Sequence, residues 1–158
     1  MSSARNFRYW GPVLLWMLFI FWMSTGTFSS QNTSLIIEPL LRFFVPSISK
    51  EEIEIIHFAI RKLGHVSEYF VLGILLFRFF RGGSEEPLKL RWAFFSLLVV
   101  LVYAAGDEFH QSFVSTRTAS PVDIGIDTFG GVLSQGASIL WILVHRNNAG
   151  KIAFIRRD

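Results

Sequence analysis

No cysteine occurs among the 158 residues, which excludes disulfides, thiolate metal sites and a cysteine nucleophile and leaves the redox compartment open. Charge is sparse as well. Asp, Glu, Lys and Arg make up 17% of the chain, and its 15 basic residues flank apolar segments instead of forming a stripe interleaved with polar ones. The net charge of +3 therefore carries no signature of nucleic-acid binding, and none is expected. Neither H-E-x-x-H nor G-x-S-x-G is present, so neither zinc-peptidase nor nucleophile-elbow chemistry is specified. Internal repeats and low-complexity tracts are also missing.

What the chain has in excess is apolar surface. A content of 51% hydrophobic residues, with 17 Phe, is more than a single soluble core of this length can hide. The expected fold class is all-α, a polytopic membrane four-helix bundle. Residues 10–28 form an uncharged run of 19 residues, enough at about 1.5 Å per residue to cross a hydrocarbon core of roughly 30 Å. Further spans are expected at about 63–80, 92–113 and 122–144, and only the first is free of charge. Residues 1–28 also have the outline of a secretory signal, with Arg5 and Arg8 ahead of an apolar core and Ser24, Thr25 and Gly26 after it. The core is bulky and lacks A-x-A, so a retained span is expected.

With four spans, ten basic residues fall in the segments before Trp10, between Arg78 and Arg91, and after Val144, against five on the opposite side. The positive-inside rule then places both termini in the cytoplasm. The expected organisation is a cytoplasmic tail at 1–9, one membrane domain at 10–145 and a basic cytoplasmic tail at 146–158. Pro87 falls in the cytoplasmic turn. Between spans one and two, Ser34-Leu-Ile-Ile-Glu-Pro-Leu-Leu-Arg-Phe-Phe44 is amphipathic and suits the headgroup plane outside the cell. Ser49-Lys-Glu-Glu52 reads as a capping box, with Ser49 at the N-cap and Glu52 at N3, opening a helix that runs on into span two.

Ionisable residues sit where lipid should forbid them: His65 and Glu68, Asp107 and Glu108 with Gln111, Arg117, and Asp123 and Asp127. Each costs roughly 2.5 to 3.5 kcal/mol at the centre of a span, so each calls for a function or a partner. Helix rise puts Glu68 about 20 Å above the cytoplasmic boundary, His65 and Asp107 about 24 Å, and Asp127 about 28 Å. All four fall in the outer third of the bilayer. His65 and Glu68 are i,i+3, with His57 and Arg61 continuing the stripe, while Asp107 and Gln111, like Asp123 and Asp127, are i,i+4. Three helices thus aim polar groups at one outward-facing pocket.

Structural readings stand beside the functional ones. Gly130, Ser134 and Ser138 are four apart and suit close helix packing. Asp123, after Ser120 and Pro121, fits the N3 position of a helix start as well as it fits a site. Arg117 suits neutralising the carboxylates or binding a substrate, and His57 and His110 read as interfacial. The acids and His65 suit a divalent ion bound by His65, Glu68, Asp107, Glu108 and Asp127, or acid–base work on an ester or phosphoester; the residues choose neither, and no cofactor is specified. Ion conduction would need polar groups on the cytoplasmic half, where only Ser24, Ser96, Ser134 and Ser138 are read.

In order and spacing, Phe28-Ser-Ser-Gln31, Arg61-Lys-Leu-Gly-His-Val-Ser-Glu-Tyr69, Asp107-Glu-Phe-His-Gln-Ser-Phe113 with Arg117, and Asp123-x-x-x-Asp127-x-x-Gly130 resemble the VanZ-like family over about residues 10 to 145. The resemblance implies a polytopic bacterial envelope protein whose namesake lowers susceptibility to the lipoglycopeptide teicoplanin. It carries over Arg61, Lys62, His65, Glu68, Tyr69, Asp107, Glu108, Gln111, Arg117, Asp123 and Asp127 as the motif positions. Around the arginine this chain reads Val-Ser-Thr-Arg-Thr-Ala-Ser and lacks the Pro-Gly expected before it, which leaves the geometry of that loop open. The partners expected are the lipid bilayer and, at the outer pocket, a lipid headgroup, a lipid-linked cell-wall precursor or a lipoglycopeptide. An enzyme acting on such a lipid, metal-assisted or acid–base, is the alternative.

Overall fold

The computed structural model describes residues 3–84, 86, 88–117 and 119–155, and every regular element among them is helical. Five α-helices follow one another: α1 (Ser3–Met23), α2 (Ser30–Phe44), α3 (Lys50–Arg81), α4 (Leu90–Gln111) and α5 (Pro121–Ile155), with one 3₁₀ turn at Gly26–Phe28 between the first two. Pro87 and the side chains of the tail at 146–158 lie outside the described residues. Helices α3, α4 and α5 are each long and apolar enough to cross a membrane, and α1 with α2 makes a fourth span when that bent pair is taken as one. The architecture is the membrane four-helix bundle that hydropathy predicts.

Span one departs from its predicted bounds. Its apolar run continues to Phe28, but the helix ends at Met23 and the chain turns by 62° into α2. A non-local contact sits at this turn. Thr116, in the loop between α4 and α5, comes so close to Gly26 that a Cβ there would lie 3.0 Å from its hydroxyl. A side chain at this position would need the Thr116 side chain to give by a few tenths of an ångström. Helix α2 then presents Leu35, Ile36, Leu40, Phe43 and Phe44 outward and makes an i,i+4 ion pair between Glu38 and Arg42 at 3.0 Å.

Helix α3 starts where its local sequence predicts. Glu52 donates its amide to Ser49 Oγ at 3.2 Å and Ser49 donates its amide to Glu52 Oε2 at 2.8 Å, so two orphan donors are satisfied reciprocally. Thirty-two residues later the helix closes on Gly82, whose φ of 52° lies in the left-handed region.

Helix α3 is the central element and α5 lies closest to it. A Cβ on Gly130 would run into the Val66 carbonyl, and one on Gly73 into the Ser134 side chain, so each helix offers a glycine where the other approaches. Gly130 and Ser134 on α5 therefore form a packing surface, as their spacing predicts. Between helices in lipid there is no hydrophobic gain to exploit, and close contact with a few hydrogen bonds holds the bundle. Two such bonds fix α1: Trp16 Nε1 donates to the Glu68 carbonyl at 2.8 Å, and the Tyr103 hydroxyl donates to the Met17 carbonyl at 2.5 Å. Val13, Ile20, Tyr69, Leu72, Leu76, Val100 and Ala104 form the main buried cluster.

Candidate functional site

One end of the bundle, where α1 turns into α2 and α4 turns into α5, gathers the ionisable residues into three linked groups. On α4, Asp107 is buried and accepts the Ser24 hydroxyl at 2.5 and 2.6 Å through its two oxygens. Gln111 donates to the same carboxylate at 3.0 Å and to Ser24 Oγ at 3.2 Å. The i,i+4 spacing puts Asp107 and Gln111 on one face, and α1 supplies the hydroxyl that completes the group.

Between α3 and α5, His65 Nδ1 meets Asp127 Oδ1 at 3.0 Å, and Lys62 forms an ion pair with Asp123. Asp123 thus reaches across to α3, although its position at the start of α5 suits a capping role equally well. Glu108 accepts the backbone amide of Ser120 at 2.7 Å and ties the end of α4 to the entry of α5. Several acceptors and donors are left over among the described residues: Asp127 Oδ2, Glu108 Oε1 and the Tyr69 hydroxyl are buried without a hydrogen-bond partner. Buried polar atoms normally find a partner, so these three stand out.

Arg117 is held by main-chain carbonyls of the α1–α2 turn. Its guanidinium donates to the Met23 carbonyl at 2.5 Å and to the Thr25 carbonyl at 3.1 and 3.3 Å. The Met23 carbonyl ends α1, and the Thr25 carbonyl just beyond it also accepts the Phe28 amide at 3.3 Å, so the arginine caps the end of α1 and complements its negative end. Burial lowers the pKa of Arg117, Arg61 adds to the effect, and Asp107, Glu68 and Glu108 oppose it. A guanidinium stays charged throughout.

In front of these groups lies a cavity of about 190 Å³ between the α1–α2 turn, α3 and the α4–α5 loop. Its polar lining is Ser24, Thr33, Arg61, His65, Glu68, Gln111 and Arg117, and Met23, Phe28, Ile37 and Ile60 supply apolar wall. Of the residues the sequence singles out, Arg61, His65, Glu68, Gln111 and Arg117 face this space, while Lys62, Tyr69, Asp107, Glu108, Asp123 and Asp127 stand outside its lining. Among the described residues, the Arg61 guanidinium and the Glu68 carboxylate have no hydrogen bond and no ion pair. His57 is engaged elsewhere, with Nε2 at 2.8 Å from Thr33 Oγ1, and His110 stacks on Phe21 with ring centroids 4.6 Å apart.

The five residues read as metal ligands are divided among these groups. Among the described residues, no three His, Asp, Glu or Cys side chains are gathered as the ligands of one ion would be. Asp107 is taken up by Ser24 and Gln111, Asp127 by His65 and Glu108 by the Ser120 amide, which separates carboxylates that height alone had placed together.

Three polar residues escape the sequence reading. Ser24, expected in the cytoplasmic half, lies in this cluster against Asp107. Thr33 joins the cavity wall from α2, and Gln135 is buried deeper in the bundle, donating to the Gly73 carbonyl at 3.2 Å and to Ser134 Oγ at 2.9 Å. Ser24 is the first polar residue after the apolar run of α1 and carries that signal; a single glutamine in α5 carries none.

The VanZ/LLP1 family model matches residues 9–144. No curated protein and no solved structure matches the chain. The match takes in most of every helix and all of the polar end, from the α1–α2 turn to Asp127, and the chain belongs to the VanZ/LLP1 family.

Proposed function

We propose that this membrane protein lies in the bacterial cytoplasmic membrane as four spans with both termini in the cytoplasm, and that its outer polar cavity binds an anionic headgroup. The observation that carries this reading is Arg61, a guanidinium without a partner among the described residues, in the same cavity wall as Arg117 and the unpaired Glu68. An arginine left unpaired beside a carboxylate is matched by a ligand that bears both a negative group and hydrogen-bond donors. A phosphate or carboxylate flanked by hydroxyl or ammonium groups meets that description. Lipid-linked cell-wall precursors and lipoglycopeptides such as teicoplanin both carry such groups.

Size narrows the mode of binding. Sites for drug-sized molecules run to roughly 300–1,000 Å³. A space of about 190 Å³ takes a headgroup-sized part and leaves the remainder of a large ligand outside. The outward apolar face of α2 then rests on the outer leaflet beside the entrance, where its Leu, Ile and Phe side chains suit the interface.

A second reading is supported by the His65–Asp127 pair. A carboxylate on Nδ1 fixes the ring and leaves Nε2 as the basic nitrogen, an arrangement suited to acid–base attack on an ester or phosphoester, with Glu68 in the same wall. Titration of the purified protein in nanodiscs with a lipid-linked cell-wall precursor and, separately, with teicoplanin tests both readings. Saturable binding with the ligand recovered intact supports the binding protein, hydrolysis of the precursor supports the enzyme, and binding of neither probe refutes the headgroup reading. Because the chain has no cysteine, single cysteines introduced at Ser115 and Glu86 report the orientation. The first should react with an impermeant maleimide on intact cells and the second only after permeabilisation.

A further inference from the structure

A second cavity, of about 600 Å³, lies at the opposite end of the bundle, between the start of α1, the end of α3 and the middle of α5. Three arginines line it: Arg8 from α1, and Arg78 and Arg81 from the last turn of α3. Its wall is otherwise largely apolar, with Phe77, Trp141 and Ile142 among the lining residues. The cavity takes in none of the polar end described above.

None of the three arginines is paired with an acid among the described residues. Lys62, Lys89 and Arg42 each have a carboxylate partner, whereas among the described residues Arg8, Arg78 and Arg81 have neither an ion pair nor a hydrogen bond. The Nε–H of Arg81 is in addition buried without an acceptor. Two basic residues in the last turn of α3 are expected from the helix dipole alone. The dipole explains neither the third arginine, which comes from another helix, nor the buried donor. The turn that follows α3 passes through Gly82 and Gly83 and adds no side chain to the rim, and Tyr9 brings its hydroxyl over Gly83.

We propose that this cavity holds one anionic phospholipid of the adjacent leaflet, its phosphodiester gripped by Arg8, Arg78 and Arg81 and its acyl chain laid along Phe77 and Trp141. Guanidinium groups pair with phosphate oxygens through parallel N–H donors, which would satisfy the orphaned Arg81 Nε–H. The choice of a lipid over a free phosphate follows from the lining. A small hydrophilic anion would leave the apolar wall unused, whereas basic pockets between membrane helices suit lipid headgroups whose chains stay in the bilayer. With both termini cytoplasmic, the lipid belongs to the inner leaflet.

The test uses full-length protein in nanodiscs of phosphatidylcholine with a minor fraction of phosphatidylglycerol, with the bound lipid counted by native mass spectrometry. Retention of one phosphatidylglycerol in preference to phosphatidylcholine is expected. The double variant R78Q/R81Q should weaken it roughly 25-fold, about fivefold per basic residue, while Arg91→Gln, a nearby exposed arginine outside the cavity, should change it by less than about twofold. Equal retention in the double variant and the native protein, or an equal loss in Arg91→Gln, overturns the proposal. Displacement of the lipid by excess inorganic phosphate would assign the site to a free anion and also overturns it. Should the double variant fail to insert, quenching of tryptophan fluorescence in the native chain decides. Stronger quenching by brominated phosphatidylglycerol than by brominated phosphatidylcholine, lost in Trp141→Phe, supports the site, and equal quenching by the two lipids refutes it.

Discussion

His65 Nδ1 and Asp127 Oδ1 are 3.0 Å apart, and one turn along α5 from that aspartate, Gly130 brings α5 against the α3 backbone at Val66. The polar pair and the glycine contact thus belong to one joint between α3 and α5. Asp127 is fully buried, and among the described residues its carboxylate has His65 as its partner.

That pairing predicts coupled stability. Asp127→Ala and His65→Ala should each lower the unfolding free energy in detergent, and the double variant should lose less than the sum of the two. Interhelical polar pairs in membranes average about 0.6 kcal/mol and reach about 1.7 kcal/mol, so a coupling of that order is expected. Additive losses would mean that the two side chains do not hold α3 to α5.

The glycine contact predicts a contrast between two positions on the same helix. Gly130→Ala sets a methyl group against the Val66 carbonyl and should destabilise the bundle, whereas Gly136→Ala meets open space and gains about 1 kcal/mol of helix propensity. Thermal unfolding of the two variants should therefore move in opposite directions.

Arg117 acts through the backbone of α1. Arg117→Gln frees the Met23 and Thr25 carbonyls and should speed amide exchange through the α1–α2 turn, while Arg117→Lys, which cannot supply the guanidinium fork, should restore only part of the protection. Hydrogen–deuterium exchange over residues 20–30 reads this directly. Unchanged exchange in Arg117→Gln would show that the turn is held by the Thr116 contact instead.

Local signals were legible in the sequence and tertiary ones were not. The capping box at Ser49 and Glu52 needs only residues three apart, and it opens α3 as predicted. Helix rise put the polar residues of three spans at one height, and the structure assembles them at one end of the bundle. The end of α1 was beyond reach, because the approach of Thr116 to Gly26 joins segments 90 residues apart in a run that hydropathy treats as uniform. The role of Arg117 was hidden for a related reason: motif and charge point to carboxylates, and the groups it meets are main-chain carbonyls that no side-chain pattern announces. Height also could not separate Asp107 from Asp127, since each goes to a partner on a different helix.

On the proposed function, Arg61 stands unpaired in the cavity wall because a ligand pairs with it. The most direct test is the binding isotherm of a lipid-linked cell-wall precursor, and of teicoplanin, to nanodiscs holding the native chain or Arg61→Gln. Charged hydrogen bonds contribute about 1.5–3 kcal/mol, so the substitution should weaken binding of the cognate probe by roughly tenfold to a hundredfold and leave the melting temperature nearly unchanged. Equal binding by the native and Arg61→Gln proteins would show that Arg61 does not pair with the ligand.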